Sequence, residues 1–501
     1  MRLSREGTPL LGIAGWGADE REGRGPLSAG SEKLASQVAR KIEDQIIDRR
    51  WPVGEVLGSE TELLEQFGVS RSVLREAIRL LEHLGVARMR SGPGGGLVVC
   101  APSASSSSRA LVIYLQYIGI STDDLLQARV LLEPLAARLA AGAVTEEGID
   151  ALREIVRKEQ AQELGQEWVG GPNAVEDDLH VALGRMSGNA VLQLFIEVVA
   201  LLTARNVRSE DYPEMAVLAP AQSAATTRHA EIADAVITGD TAAAEIRLSR
   251  HLDEVRAWML SSPDRRRSGR MRTRPTDPTP DTSVGRKLAE VIAGRIHNDI
   301  TGDGWQIGEV FGSEPDLLAR YGVSRAVLRE SIRILEHHSV ARMRRGAGGG
   351  LVVLAPDPSA SIRAIALYLD FEEMSPVHLH VVRESIELGC VQAATGAAAQ
   401  DPEAAARLRA SLGSGTGAGA ASNFHTELAA VADNPVLALF LRIIMELWAR
   451  HCRTKDLSTI AADAEVRQAH GNILEAVLAG DDGLAQHRMR RHLQELAVRW
   501  D

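Results

Sequence analysis

The stretch FGVSRSVLREAIRLLEHLGVARMRSGPGGGLVV, Phe67 to Val99, returns as YGVSRAVLRESIRILEHHSVARMRRGAGGGLVV, Tyr321 to Val353. The match runs without a gap from Lys33–Ser121 onto Lys287–Ser375, so the chain holds two copies of one unit. Within the first copy Gly68 permits a tight turn, and the Ser70 hydroxyl is placed to cap a helix that starts at the next residue. Leu74, Ala77, Ile78, Leu81 and Leu84 share one face of that helix and leave Arg71, Ser72, Arg75 and Arg79 on the others. Two short strands, Val86–Arg90 and Leu97–Cys100, then flank the glycine-rich residues 91–96 as a hairpin.

Upstream, Leu34, Val38, Ile42 and Ile46 recur at helical spacing, so residues 33–49 read as an amphipathic helix that ends at Trp51-Pro52. A second short helix follows over Ser59–Gln66. The order helix, turn, helix, hairpin is that of a winged helix-turn-helix, whose last helix offers its N-terminal residues to a DNA major groove. The candidate contacts to double-stranded DNA are Ser70, Arg71, Ser72, Arg75, Arg90 and Gly92 in the first copy. In the second they are Ser324, Arg325, Arg329, Arg344, Arg345 and Gly346. Any one of these arginines taken alone is equally well a solvated surface charge; their joint recurrence in both halves is what points to DNA.

A chain of 501 residues with 45% hydrophobic and 4% aromatic content builds several cores from aliphatic and small side chains. The fold class expected is mainly α. Winged-helix domains at 31–102 and 286–356 each precede an all-helical bundle, at 120–260 and 374–501. Residues 1–30 read as a disordered leader and residues 261–285 as a linker. The linker arginines either track phosphates or simply solvate a spacer. A net charge of -11 excludes a uniformly basic nucleic-acid coat, so DNA contacts must come from local clusters. Cys100, Cys390 and Cys452 form neither a pairwise framework nor a C-x-x-C motif, which fits a reducing compartment. No apolar run reaches the roughly 18–20 residues that cross a bilayer, so the expectation is a cytoplasmic protein with no membrane partner.

The bundles carry spaced histidines. Glu176 and His180 stand four apart, the spacing of one helix face. His229 and His251 flank a Gly239-Asp240 break and lie level if that break closes an antiparallel helical hairpin. His425, His470 and His492 repeat the arrangement around Gly480-Asp481. Such a set makes an N/O site for a divalent metal ion of the Zn, Ni or Mn class. The alternative is ordinary core or surface histidines that duplication copied.

The run G-S-E-x-x-L-L-x-x-[FY]-G-V-S-R-x-V-L-R-E, with its hairpin, resembles the GntR family of bacterial regulators in its FadR-like branch, over both readers. The resemblance implies that Ser70, Arg71 and Arg75, with Ser324, Arg325 and Arg329, contact an operator, and that Gly92 and Gly346 bring the wing to the minor groove. Many members carry an arginine where this chain has Thr61 and Pro315. The R-x-x-x-E pairs (Arg129 and Glu133; Arg383 and Glu387), the breaks at Gly188-Asn189 and Asp433-Asn434, and the paired histidines resemble the FCD effector domain. In many such domains an Asp and three His bind a metal that holds a small carboxylate. Here Glu176 stands for the Asp, and Ala421 leaves the second set with histidines alone, so a metal is implied in the first sensor and left open in the second. Arg129 and Arg383 are the candidate ligand-binding residues; the other reading makes each an intrahelical ion pair.

The resemblance implies a metabolite-responsive repressor of bacterial nucleoid DNA that is not an enzyme. One chain would bind a two-fold operator as an internal pseudo-dimer, with a further homodimer left open. A metal-dependent enzyme is the rival, and it lacks an H-E-x-x-H motif. A non-specific DNA scaffold is the other, and the recognition-helix pattern argues against it.

Overall fold

The computed structural model describes residues 28–163, 178–207, 215–260, 288–412, 418–454 and 464–498, apart from positions 93, 103, 347 and 357. The leader up to residue 27 and the linker lie outside the described residues. Two compact units form, residues 1–101 and 102–501.

In the first unit, α1 (Ser28–Asp48), α2 (Glu60–Phe67) and α3 (Arg71–His83) precede the strands β1 (Ala87–Arg90) and β2 (Gly96–Val99). A capping box starts α2: the Ser59 hydroxyl accepts from Glu62 N, and Glu62 Oε2 accepts from Ser59 N at 2.7 Å. Gly68 ends α2 in the left-handed region, and Ser70 caps α3 by accepting from Val73 N. The helices close on each other through Ala35, Val38, Ala39, Ile42 and Ile46 of α1 and Leu74, Ala77, Ile78 and Leu81 of α3. Leu34, expected on the buried stripe, is 41% exposed. The buried face runs through 35, 38, 39, 42 and 46, and position 34 falls at its edge. The hairpin pairs Ala87 with Val99 and Arg90 with Gly96. At Gly96 a Cβ would stand 2.5 Å from the Gly58 carbonyl, so the root of the wing requires glycine there.

The second unit begins with α4 (Ala104–Ile118), α5 (Thr122–Gly142), α6 (Glu146–Glu163), α7 (Leu179–Met186), α8 (Ala190–Val207), α9 (Met215–Ile237) and α10 (Thr241–Leu260). The second reader follows as α11 (Leu288–Gly302), β3 (Val310–Gly312), α12 (Glu314–Tyr321), α13 (Arg325–His337), β4 (Ala341–Arg344) and β5 (Gly350–Val353), with sheet order β3-β5-β4. The second bundle comprises α14 (Pro358–Phe371), α15 (Pro376–Gln400), α16 (Pro402–Ser411), α17 (Ala418–Val431), α18 (Pro435–Thr454), α19 (Ala464–Leu478) and α20 (Asp482–Val498). The core of the second reader takes in Ile113 of α4, and Trp305 meets the Tyr117 ring edge-on with centroids 5.3 Å apart.

Each bundle has its own core, around Leu152, Leu183, Ile232 and Leu248 in the first and Leu408, Phe424, Ile473 and Met489 in the second. A third core joins them, built from α4, α5 and α8 with α14, α15 and α18. At its centre Phe195 and Phe440, equivalent positions of the repeat, stack with centroids 3.9 Å apart. The contacts around them are reciprocal. Asn189 caps α8 and donates from Nδ2 to His378 O at 3.0 Å; Asn434 caps α18 and donates from Nδ2 to Asp124 O at 3.1 Å. Asp124 and His378 are themselves equivalent. Helices α4 and α14 lie ahead of the bundle boundaries expected from sequence, at residues 120 and 374, yet both contribute to this core. Short apolar runs after a strand carry too little pattern to separate a linker from a helix.

Candidate DNA interface and histidine clusters

In each reader the recognition helix begins at a serine cap, with the two foremost arginines exposed just beyond it. Arg75 Nε lies 3.2 Å from Glu60, while Arg325 and Arg329 share Glu314 at 3.9 and 3.7 Å. Pairs this exposed contribute about 0–1 kcal/mol, so a phosphate or a base edge exchanges readily for the carboxylate. Ser72 lies within 2.9 Å of Ser70, hydroxyl to hydroxyl. Arg90 and Arg344 are partly spent on the wing itself, donating to Gly94 O and Gly348 O at 3.0 and 2.9 Å. Gly92 and Gly346 have φ of +100°, a turn that side chains resist. Arg345 is exposed beside Gly346, where the first wing has Ser91.

The helical break at Gly239-Asp240 closes α9 onto α10 and brings His229 Nε2 to 3.2 Å from His251 Nε2. His180 of α7 completes the group, its ring centroid 5.1 Å from His229 and 5.4 Å from His251. In the second bundle His470 Nε2 and His492 Nε2 stand 3.1 Å apart, with His425 of α17 beside them. Within each trio the potential ligand atoms lie within 4.8 Å of one another. Two imidazole nitrogens bound to one ion at about 2.0–2.1 Å would be separated by about 2.9–3.4 Å, so both pairs fit a shared cation. Burial, followed by the neighbouring imidazoles, lowers the pKa of His251 and of His470 to about 2, which keeps each ring neutral and able to donate a lone pair.

Glu176 lies outside the described residues. Asp178 has extended backbone and caps α7, which starts at Leu179 and carries His180 in its first turn. Ala421 lies on α17, one turn before His425.

Three glutamates that sequence reading did not place among the site residues, Glu133, Glu387 and Glu159, lie against the histidines. Arg129 Nε binds Glu133 at 2.6 Å, and Glu133 Oε2 reaches 2.7 Å from His180 Nδ1, all three side chains being buried. That second contact is short but off the line of a hydrogen bond, which leaves His180 Nδ1 without an aligned partner. Arg383, Glu387 and His425 form the same chain in the second half. Burial alone would raise the Glu133 carboxyl, but Arg129 and then His180 outweigh it and hold it at about 2. Glu387 is likewise held low against its burial, by His425 and Arg383. The R-x-x-x-E spacing was the available signal, since it places Arg and Glu one helical turn apart. The third member, His180, is visible only in the fold. Glu159 is the other addition, 2.9 Å from His229 Nδ1; this contact fixes the ring so that Nε2 faces the cluster.

A recognition helix and wing joined to a helical bundle, twice over, define a duplicated winged-helix regulator. Two family models match it in both halves: "Bacterial regulatory proteins, gntR family" over residues 34–97 and 288–350, and "FCD domain" over 124–254 and 378–495. The chain belongs to the GntR family and is a DNA-binding transcriptional regulator. Among its relatives is the Uxu operon transcriptional regulator of Escherichia coli K12, 28% identical over 240 residues that make up 46% of this chain and 88% of the relative. The HTH-type transcriptional repressor NanR of Enterobacter sp. strain 638 is 28% identical, over 47% of this chain and 87% of that one. LutR of Bacillus subtilis is 29% identical, over 40% and 90%. Each thus aligns nearly whole with less than half of this chain. A solved chain, Streptococcus agalactiae GntR, is 24% identical with a TM-score of 0.32, over 45% of this chain and 99% of that one. Among the described residues no helix is long and apolar enough to cross a membrane.

Proposed function

We propose that this regulator binds a two-fold operator as an internal pseudo-dimer, one reader per half-site, and that its bundles sense a small carboxylate through a divalent metal ion. The observation that carries the reading is the reciprocal packing of the two bundles, Asn189 onto His378 and Asn434 onto Asp124 about the stacked Phe195 and Phe440. Two-fold regulators use such packing between subunits to set two readers against two half-sites. Ser70, Arg71 and Arg75, with Ser324, Arg325 and Arg329, read the half-sites, while Arg345 strengthens the second wing's hold on phosphate.

His180, His229 and His251 would hold the ion in the first bundle, and His425, His470 and His492 a weaker one in the second. A bound divalent ion supplies a Lewis-acidic anchor for a carboxylate. The chain's own residues prepare that site: Glu159 orients the His229 ring, Glu133 sets a negative charge beside His180, and Arg129 neutralises Glu133. Because Arg129 is already committed to Glu133, its contribution to the effector is electrostatic, a positive field next to the site. Effector binding would act by favouring one arrangement of the bundles over another.

Selection of bound DNA from a random pool with the full chain tests the reading. The expected result is a near two-fold site carrying one chain per duplex in native mass measurement. Two chains per such site, or no enriched sequence, would overturn it.

A further inference from the structure

Where the central helices of the two bundles cross, the repeat is not symmetric. Arg129 corresponds to Arg383 and Glu133 to Glu387, so Leu131 corresponds to Ser385 and Leu135 to Gly389. The first half therefore presents two leucines to the seam, and the second a serine and a glycine. Leu131 fills the space over Gly389: a Cβ added there would stand 2.3 Å from Leu131 Cδ1. Ser385 Oγ donates to Leu131 O at 2.7 Å, possible because its short side chain lets α15 approach the backbone of α5. The stacked phenylalanines and capping asparagines, by contrast, are the same residues in both halves and would serve like and unlike pairs equally.

We infer that this seam selects the pairing of unlike halves. The inference rests on the reading of the bundles as an internal pair and adds a direction to it. Two first halves would set Leu131 against Leu135, where the observed packing has room only for glycine, and such overpacking is resisted by a close-packed interior. Two second halves would set Ser385 against Gly389 and leave a void where a leucine side chain now sits. An unlike pair avoids both. Reader 1 is thereby always coupled to reader 2, so the operator is read with fixed polarity, with Ser72 and Ser91 on one half-site and Ala326 and Arg345 on the other.

The test uses the folded full chain with a protease site introduced within residues 261–285, cut after purification. Nicked samples with and without isotopic label are mixed, and label exchange marks the point at which halves have re-equilibrated. Native mass measurement is expected to find unlike pairs in about tenfold or greater excess over the statistical mixture. Redistribution into like pairs, or separation into single halves, overturns the inference. Gly389→Leu should remove the excess, and Leu131→Ala added to it should restore pairing; a double variant that pairs no better than the single also overturns it. The number of intact chains on the selected duplex is a separate measurement, so a failure of the internal-pair reading is distinguishable from a failure of the seam.

Discussion

The two histidine clusters stand on equivalent helices, yet their surroundings differ. In the first, the His229 side chain is 14% exposed and carries Glu159 on its outer nitrogen. In the second, all three histidines are buried, and Phe424 stacks on His470 with centroids 4.5 Å apart, at the position that Leu179 occupies in the first. Trp448, equivalent to Thr203, lies under the Arg383 guanidinium at 4.8 Å. The buried chains of Arg, Glu and His are common to both. Duplication has thus preserved the frame that fixes the bundle, while substitution has altered the rim of side chains around each histidine trio.

The largest expected effect tests the shared frame. Glu133→Gln keeps the shape but leaves Arg129 as a buried charge without its counter-ion, which should cost about 3–5 kcal/mol. Glu387→Gln should cost a similar amount through Arg383, and urea denaturation of the two variants measures both. A cost in either half below about 1 kcal/mol would mean that the ion pairs are not what the bundles depend on.

Metal addition separates the halves. Zinc at about a hundred times its dissociation constant should stabilise the chain by about 2.7 kcal/mol, seen as a rise in Tm. His251→Ala should abolish that rise, whereas His492→Ala should keep most of it. The reverse pattern would make the closed cluster the tighter site and break the comparison.

Much of this was legible in the sequence. The readers were, because their helix caps, their glycine turn and their apolar stripe are local signals that agree with one another, and Ser59, Gly68 and Ser70 act where local chemistry places them. The pairing of His229 with His251 was legible too, since a hairpin break at known distance fixes which residues stand level. What depends on contacts between distant segments was not. Glu133 reaches His180 from another helix, and Glu159 reaches His229 across 70 residues of chain. Leu34 failed for a smaller reason, a stripe edge that periodicity alone leaves open by one position. Where α7 begins was not legible either: the Asp178 carboxylate accepts from His180 N and Val181 N and starts the helix at Leu179.

The readers offer the next comparison. Arg75→Ala and Arg329→Ala should each weaken binding to the selected operator by about 1–3 kcal/mol if each reads a guanine, measured at fixed salt. Arg329 shares Glu314 with Arg325 at 3.7 and 3.9 Å, whereas Arg75 stands 3.2 Å from Glu60, so the first reader gives up the closer ion pair on binding. Equal losses on specific and random duplexes would assign both arginines to phosphate instead.

The smallest effect bears on the rim. Trp448→Thr gives the second half the residue of the first and removes a ring from beneath Arg383. The loss should be about 0.5–1 kcal/mol, since Arg383 keeps its pairing with Glu387. The informative measurement is made in a His251→Ala background, where zinc uptake reports on His425, His470 and His492 alone. If Trp448 closes that cluster, its removal should speed uptake while the stability of the bundle hardly changes. Unaltered uptake would shift the closure to Phe424, whose ring stacks on that of His470, and Phe424→Leu would then be the substitution that reproduces the first half.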